Sequence, residues 1–372
     1  MALSWGFCAN RPNAGSGHHR RPARSRSPRP LAKWGALDHG AAGPVPRGRA
    51  GLGTPASAPG RAHGLRAVAE GRLRQRTGNA GHAPLGGRGM SDLSLAPQGA
   101  GPLEKMRASV QEDGKVAYAL PLGEQAVALN PLLGARLQLR FEQAIFCTAC
   151  GRKTNKSFNQ GYCYPCFQRL AACDSCIVSP EKCHFAAGTC REPDWAERFC
   201  MTDHLVYLAN STGLKVGITR VNQVPTRWID QGASAAVLFA RTQTRHLAGL
   251  VEVILKAHVA DRTQWQRLLK GPPEPVDLLA ARDELWQRCA PELDALQGAH
   301  GLTAVQRVTG PELWSAQYPV LAYPAKVKAL ALEKLGAVEG TLEGIKGQYL
   351  LLSSGVINIR KYTAHQVSLF TA

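Results

Sequence analysis

No stretch of this sequence approaches the roughly 18 consecutive apolar residues that a membrane-spanning helix needs, so we expect no membrane-spanning protein. A basic start followed by an apolar run is also missing, and we therefore expect no secretory signal. These absences predict a cytoplasmic protein without a membrane partner. In a reducing compartment, closely spaced cysteines favour metal binding over disulfide bonds.

Acidic residues are scarce in the first ninety residues, which contain 15 Lys and Arg but only two Asp and Glu. Of the formal net charge of +18, only +5 belongs to the residues after Met90. Arg, Gly, Ala and Pro dominate this segment without an apolar period, so it cannot bury enough surface to offset its chain entropy. We predict a disordered basic tail over residues 1–89. The tail either holds nucleic acid through its cations or does not belong to the natural protein, whose translation would then begin at Met90 or Met106.

Strand periodicity marks both ends of the remaining chain. Alternating apolar and polar residues predict three early strands, at residues 115–122, 125–129 and 135–145. Four further strands are predicted near the end, at residues 326–332, 337–342, 348–352 and 356–359. We expect these two groups of strands to pair into one barrel-like unit around the middle of the chain.

The middle of the chain reads as two further regions. Between residues 147 and 204 cysteine replaces the apolar period, so a metal ion would organise this part. Residues 205–270 follow the order strand, strand, short helix, strand and long helix, with the long amphipathic helix at 244–260. A linker at 271–275 leads to a charged helix at 277–296. The predicted fold class is α+β, with the expected domains 106–146, 147–204, 205–270 and 276–372.

Two Cys-x-x-Cys pairs, Cys147 with Cys150 and Cys163 with Cys166, are separated by twelve residues. Each pair forms a knuckle that presents two thiolates, and two knuckles complete a tetrahedral site around one ion. The spacing therefore predicts zinc. Because the protein fills all four coordination positions, the ion would be structural. An iron–sulfur cluster is the alternative, since thiolate ligands suit it too.

Five more cysteines follow directly. We predict a second metal site with four of them as ligands, namely Cys173, Cys176, Cys183 and Cys190. Cys200 is then either unused or replaces one of the four. His184 and His204 lie nearby in sequence, where a histidine is more often a hydrogen-bonded neighbour than a ligand. A thiol redox protein is a further interpretation of these cysteines, and it would need an exposed thiol of low pKa.

The segment after the cysteines resembles the GIY-YIG nuclease domain. The residues that carry the resemblance are Val206-Tyr207-Leu208, Lys215-Val216-Gly217-Ile218-Thr219, Arg227-Trp228 and Glu252. The resemblance implies that Tyr207 is the first-strand tyrosine and Gly217 the glycine of close approach. It further implies that Arg227 clamps a phosphate and that Glu252 binds the divalent ion, Mg²⁺ or Mn²⁺.

This segment departs from the GIY-YIG pattern in three places. Lys215 takes the position of the second tyrosine, which in the family helps to activate the attacking water. Gln231 stands where a histidine often follows the arginine, and Pro225 lies in a slightly longer connection. The resemblance thus leaves the role of the base to Lys215, which requires burial to lower its pKa.

Residues 106–372 are also similar to a bacterial family known only as a domain of unknown function. The motifs that carry this similarity are Cys147-Thr148-Ala149-Cys150-Gly151-Arg152-Lys153, Gln160-Gly161-Tyr162-Cys163, Gly188-Thr189-Cys190-Arg191-Glu192-Pro193 and Lys215-Val216-Gly217-Ile218-Thr219-Arg220. This second resemblance implies no activity of its own.

Together these features predict a zinc-stabilised nucleic-acid-binding protein with a GIY-YIG-like phosphodiesterase module. Basic and aromatic residues alternate near the candidate site: Arg152, Lys153, Lys156, Arg169, Lys215, Arg220 and Arg227 with Phe158, Tyr162, Tyr164, Phe167 and Trp228. Cations with aromatic neighbours hold phosphates and stack bases. The competing hypothesis is a noncatalytic scaffold whose zinc knuckles present a surface to another protein.

Overall fold

The computed structural model describes residues 95–260 and 262–372, and the predicted basic tail over residues 1–89 lies outside them. Within the described ranges, none of the helices is both long and apolar enough to cross a membrane. The described residues all fall in one compact unit, and the domain boundaries expected from the sequence stay predictions.

The strands of the described residues are β1 (Ala96–Pro102), β2 (Arg107–Val110), β3 (Val116–Leu122), β4 (Gln125–Ala128), β5 (Arg136–Ile145), β6 (His204–Asn210), β7 (Leu214–Arg220), β8 (Ala235–Thr242), β9 (Val305–Arg307), β10 (Trp314–Ser315), β11 (Ala337–Lys346), β12 (Tyr349–Leu352), β13 (Gly355–Asn358) and β14 (His365–Thr371). The helices are α1 (Tyr164–Arg169), α2 (Pro193–Phe199), α3 (Thr226–Asp230), α4 (Arg245–Lys256), α5 (Trp265–Leu268), α6 (Leu278–Arg288), α7 (Ala290–His300) and α8 (Leu332–Leu335). Most predicted strands are confirmed, with ends that differ by a few residues. The fold is mixed α/β with antiparallel sheets.

The largest sheet joins strands from both ends of the chain in the order β1-β14-β5-β11-β12-β13, and all neighbouring strands are antiparallel. Its middle strand β5 buries Leu137 and Leu139 in the main core. Leu139 lies opposite Val338 of β11 and Leu369 of β14, which are also buried. Burial stabilises the fold by about 2 kcal/mol for each such side chain, so this cross-strand layer fixes the register.

Strands from the two ends of the chain pair as predicted, but the sheet stays open, and the predicted barrel is therefore wrong. Its edge strands β1 and β13 have other neighbours. Leu103, directly after β1, bridges to Leu122 of the small sheet β2-β3-β4. Along β13, the backbone N–H of Leu330 donates to the carbonyl of Val356 at 2.8 Å. The predicted strand at 326–332 is also wrong, because those residues form this covering segment and the start of α8.

A second sheet, in the order β10-β8-β6-β7 with β9 beside β8, carries the predicted α/β module. The chain order β6, β7, α3, β8, α4 confirms the predicted succession of strands and helices. All residues of β6 are buried, because both faces of the strand are covered. Val206 and Leu208 pack with Val251 of α4, whereas Tyr207 and Ala209 join the main core. The module is thus held between α4 and the core of the first sheet.

The charged helix predicted at residues 277–296 is broken into α6 and α7. Pro291 lies in the first turn of α7, where its missing N–H and its ring prevent the preceding helix from continuing. Asp277 caps α6, because its carboxylate accepts hydrogen bonds from the backbone N–H groups of Leu279 and Ala280 at 3.1 and 2.9 Å. The two helices then lie beside the second sheet, with Leu285 and Leu293 buried in its core.

Lys346, at the end of β11, is almost fully buried, with 1% of its surface exposed. Its ammonium donates to the carbonyl of Gly271 at 3.0 Å and lies 5.3 Å from the ring centre of Tyr323. Burial lowers the pKa of Lys346 from the ordinary 10.5 to about 8. Between these two pH values the unfolded chain binds more protons than the folded one, so stability rises with pH.

We expect the free energy of unfolding to gain about 2 kcal/mol from Lys346 between pH 8 and pH 10. Urea denaturation at several pH values measures this slope. Lys346→Met should remove the contribution of Lys346 to this increase in unfolding free energy with pH. Lys334→Met, at an exposed position of α8, should leave the increase unchanged. An equal slope in wild type and Lys346→Met would contradict the expectation.

Candidate functional site

The four thiols of the two predicted knuckles lie together. The Sγ atoms of Cys147, Cys150, Cys163 and Cys166 are all within 4.8 Å of one another, and those of Cys150 and Cys163 are 3.7 Å apart. Three of these cysteines are buried and Cys150 is exposed. The cluster has the donor set and the spacing to hold one metal ion.

Two tight turns and one helix start bring these thiols together. Gly151 and Gly161 adopt φ angles of +70° and +126°, which side chains rarely allow. The backbone N–H of Thr148 donates to the carbonyl of Gly161 at 2.9 Å and joins the two knuckles. Cys163 directly precedes α1, so Cys166 lies in the first turn of that helix.

The thiols of the cluster differ in acidity. Burial raises the pKa of Cys147, but backbone N–H groups, those of Cys163 and Cys150 first, outweigh it and hold the pKa at about 6. Burial and the neighbouring thiols raise the pKa of Cys166 to about 12. A cation at the centre would favour the thiolate form of every ligand, which is the form that binds metal.

A second group of cysteines lines a small cavity of about 20 Å³, and its members are Cys176, Cys183, Cys190 and Cys200. Three of the four residues predicted for a second site are therefore brought together. Cys173 is buried elsewhere, where its thiol meets the side-chain amide of Asn159 and lies toward Cys147 of the first cluster. Burial raises the pKa of Cys176 to about 11.

Nδ1 of each histidine near these cysteines has a partner, whereas Nε2 of His204 is buried without a hydrogen-bond partner among the described residues. His184 Nε2 lies 3.3 Å from the carboxylate of Asp174, and its Nδ1 lies 2.8 Å from the hydroxyl oxygen of Thr189. His204 is fully buried, with Nδ1 2.7 Å from the carbonyl oxygen of Thr202. Burial lowers the pKa of His204 to about 4, so the ring is neutral near pH 7.

The loop at residues 176–183 packs directly on α4. Arg245, the first residue of that helix, donates from its guanidinium to the carbonyl of Ile177 at 2.6 Å. His246 Nδ1 lies 3.2 Å from the carbonyl oxygen of Pro180. The cysteine loop therefore fixes the N-terminal half of the helix that carries Glu252.

Gly249 allows this close packing, because a Cβ there would lie 2.6 Å from the Cβ of Pro180 and 2.7 Å from the backbone nitrogen of Glu181. We expect Gly249→Ala to lower the free energy of unfolding by about 1 to 3 kcal/mol, since backbone cannot yield as a flexible side chain does. Gly298→Ala in α7 is the matched control. Its Cβ meets nothing within 4 Å, so it should stabilise by up to about 1 kcal/mol. Urea denaturation of both variants measures the two changes in unfolding free energy. Equal changes in Gly249→Ala and Gly298→Ala would contradict the close packing of Gly249 as the cause.

The predicted first-strand tyrosine faces the predicted glycine across the hairpin of β6 and β7. Tyr207 pairs in register with Gly217, and a Cβ on Gly217 would lie 2.6 Å from the Tyr207 hydroxyl. That hydroxyl donates to Oε1 of Gln231 at 2.9 Å. The glycine thus leaves room for the tyrosine ring, and the GIY-YIG roles of both residues stay predictions.

Arg227 and Glu252 both influence the Tyr207 hydroxyl. Burial raises the pKa of Tyr207 most strongly, the Arg227 guanidinium lowers it, and the Glu252 carboxylate raises it. The charges of Arg227 on α3 and Glu252 on α4 therefore both reach the Tyr207 hydroxyl on β6. Glu252 also forms an ion pair with Lys256, one turn further along α4, at 3.3 Å.

Lys215, predicted as the base, is buried on β7 and donates from its ammonium to the hydroxyl oxygen of Thr263 at 3.0 Å. The adjacent N–H of Val216 donates to the carbonyl of Ala260 at 2.9 Å. Lys215 is thus anchored to the segment that follows α4, and its role as a base stays a prediction.

Two arginines that the sequence did not single out extend this site. Arg245 lies within electrostatic reach of Arg227 and Glu252, and its position seven residues before Glu252 on one helix face could have revealed it. Arg360 follows β13, lies within electrostatic reach of Arg227, and donates from Nε to Oε1 of Gln160 at 2.6 Å. The sequence carries no signal for Arg360, because only tertiary packing brings it here.

Beside the knuckles, several of the predicted basic and aromatic residues form an exposed surface. Lys156 lies over the ring of Phe158 at 5.1 Å. That ring contacts Tyr164 at 5.3 Å and Phe167 at 5.7 Å between ring centres. Tyr164 is 51% exposed. Trp228, by contrast, is buried in the main core and belongs to no surface.

The fold and the cysteines define an antiparallel α/β protein with a four-thiol cluster at the end of β5. Residues 134–367 match the family described as "Protein of unknown function (DUF2797)", and the chain belongs to this family. The match includes both cysteine groups and the hairpin of β6 and β7. No curated protein matches the chain, and no solved structure matches it.

Proposed function

We propose that this protein binds nucleic acid and cleaves it at a GIY-YIG-like phosphodiesterase site in the module from β6 to α4. The observation that carries the proposal is the buried Tyr207 hydroxyl, which donates to Gln231 at 2.9 Å and is reached by the charges of Arg227 and Glu252 from two different helices. The site thus combines a cation with a carboxylate. Phosphodiester cleavage needs this combination, because charge must be neutralised on the phosphoryl oxygens while a hard cation is held nearby.

We assign zinc to the four-thiol cluster of Cys147, Cys150, Cys163 and Cys166. Four thiolates that can surround one ion tetrahedrally suit zinc. Because they fill every coordination position, the ion would have a structural role. An iron–sulfur cluster uses the same ligands and would be recognised by its visible absorption. The ion would hold the knuckle surface beside the candidate site.

The residues of the site suit distinct roles in cleavage. The fork of Arg227 can bond two phosphate oxygens at once, and Glu252 offers the carboxylate oxygens that Mg²⁺ or Mn²⁺ prefers. A divalent ion there would polarise the phosphate and help to generate the attacking hydroxide. Gln231 holds the Tyr207 hydroxyl in a fixed direction, and burial keeps that hydroxyl protonated near pH 7.

The knuckle surface supplies the binding part of the proposal. Lys156 with Phe158 and the exposed ring of Tyr164 offers both a cation and stacking faces, which suits single-stranded nucleic acid. Arg360 connects this surface to the site, since it donates a hydrogen bond to Gln160 of the knuckle segment and lies within electrostatic reach of Arg227. A bound strand could therefore pass from the knuckles to the candidate site.

A second candidate function is binding without cleavage. The ion pair of Glu252 with Lys256 at 3.3 Å favours it, because the lysine ammonium competes with a divalent ion for the carboxylate. In that case the module serves as a binding surface only. A noncatalytic scaffold for another protein is the remaining alternative.

The test combines cleavage and binding by the full chain on labelled single- and double-stranded DNA and RNA. We expect cleavage with Mg²⁺ or Mn²⁺ and none with a chelator of divalent ions. We also expect affinity to fall steeply with salt, as phosphate contacts require. Salt-dependent binding without cleavage of any substrate would support the second candidate. Absence of salt-dependent binding would refute both and leave the protein scaffold.

A further inference from the structure

The small cavity beside α2 has four thiols in its wall and no role in the proposed cleavage. Cys176 lies in the short 3-10 turn Ser175–Ile177, and Cys183 directly follows the next turn. Cys190 precedes α2 and Cys200 ends it. These four cysteines thus line one cavity of about 20 Å³, which is large enough for one water-sized particle. Their Sγ atoms do not all lie within 4.8 Å of one another, so binding of one ion would draw the surrounding segments closer together.

The residues that line this cavity show which cysteine is the fourth candidate ligand. Cys200 is buried, with 6% of its surface exposed, and it lines the cavity. Cys173 is absent from the wall among the described residues and meets Asn159 instead. Of the five cysteines that follow the knuckles, Cys200 therefore replaces Cys173.

We propose that Cys176, Cys183, Cys190 and Cys200 hold a second tetrahedral zinc ion. Four soft thiolates favour zinc over Mg²⁺ or Ca²⁺, which prefer oxygen ligands. Four thiolates around Zn²⁺ leave two negative charges, and Arg245 and Arg220 both act on Cys200 from nearby. The ion needs no open coordination position, so its role is structural.

A competing ligand set in the same region fits a cation less well. One oxygen of Asp174, the thiol of Cys176 and a ring nitrogen of His184 lie within 4.8 Å of one another. However, the Asp174 carboxylate already pairs with Arg191 at 2.8 Å, and a second cation at this place would be repelled. We therefore assign His184 no ligand role.

The second zinc site would position the candidate cleavage site without taking part in it. Its loop at residues 176–183 packs on α4 through Arg245, and the backbone N–H of Arg245 donates to the carbonyl of Cys200 at 2.8 Å. Glu252 lies two turns further along the same helix. The zinc proposal itself does not depend on cleavage, because metal content is measured without a nucleic acid.

The experiment measures zinc per chain by elemental mass spectrometry for the full chain and three variants. We expect two zinc ions in wild type, one in Cys200→Ser, and two in both Cys173→Ser and His184→Ala. A single ion in wild type, two in Cys200→Ser, or one in Cys173→Ser would each overturn the proposal.

Cobalt substitution keeps the test decisive where Cys200→Ser does not fold. Thiolate-to-cobalt charge-transfer absorption grows with the number of bound thiolates. Wild type and Cys173→Ser should therefore give equal absorption at two cobalt ions per chain. A loss of absorption or of one ion in Cys173→Ser would refute the assignment of Cys200 in its place.

Discussion

Glu252→Gln is expected to lower metal-dependent cleavage by about 10²- to 10³-fold, the effect of losing one group that stabilises the transition state. The amide keeps the size of the carboxylate but has no charge to hold a divalent ion. Binding of nucleic acid should change little, because we propose that the knuckle surface supplies it. Cleavage rates at saturating protein, with affinities measured in parallel, separate the two effects.

Glu292→Gln is the matched control, since this exposed glutamate lies on α7 and should leave the cleavage rate unchanged. Arg227 offers a second comparison. Arg227→Lys keeps the charge but loses the two-pronged fork, so we expect it to retain more activity than Arg227→Ala. Wild-type rates in Glu252→Gln would sink the assignment of the metal ligand.

Cys166→Ser is expected to abolish metal binding at the knuckle cluster and to unfold the segment around it. Tyr162 and Leu170, both only partly buried, pack against the cysteines, and the rings of Phe158, Tyr164 and Phe167 beside them are also partly or largely exposed. Such a small apolar cluster cannot offset the entropy of ordering the knuckles. Metal binding at structural zinc sites supplies about 10 to 16 kcal/mol in isolated peptides, so its loss should dominate.

Zinc content, circular dichroism and susceptibility to proteolysis together measure this loss. Cys289→Ser is the matched control, because Cys289 is fully buried in the core beside α6 and α7. Serine there should cost about 1 to 3 kcal/mol for its buried hydroxyl and leave the zinc content unchanged. Full zinc in Cys166→Ser, with the protease pattern of wild type, would show that the knuckles fold without this ligand.

Local patterns in the sequence predicted the parts of the fold that local forces determine. The order of elements from β6 to α4 follows from alternation and helix periodicity, and the knuckles follow from cysteine spacing. β14 escaped prediction because three of its polar residues are buried. His365 Nε2 lies 2.7 Å from the carboxylate of Glu333, and the Ser368 hydroxyl donates to Glu142 at 2.6 Å. These tertiary partners mask the alternation of the strand.

The candidate site shows the same division between local and distant information. Tyr207 and Gly217 belong to one hairpin, and the resemblance to a known domain indicated both. Arg360 reaches the site from beyond β13, and the place of Cys200 depends on how α2 ends. The spacing of residues in the sequence cannot predict the positions of Arg360 and Cys200, because they depend on the packing of segments that are far apart in the chain.

The strand order of the largest sheet has a consequence for the newly made chain. β5 ends at Ile145, whereas its two neighbours β11 and β14 begin at Ala337 and His365. At ordinary rates of translation β5 waits roughly 10 to 40 seconds for the first of these partners. The knuckle cysteines have all been synthesised by then, so the four-thiol cluster can form on the ribosome before the sheet exists.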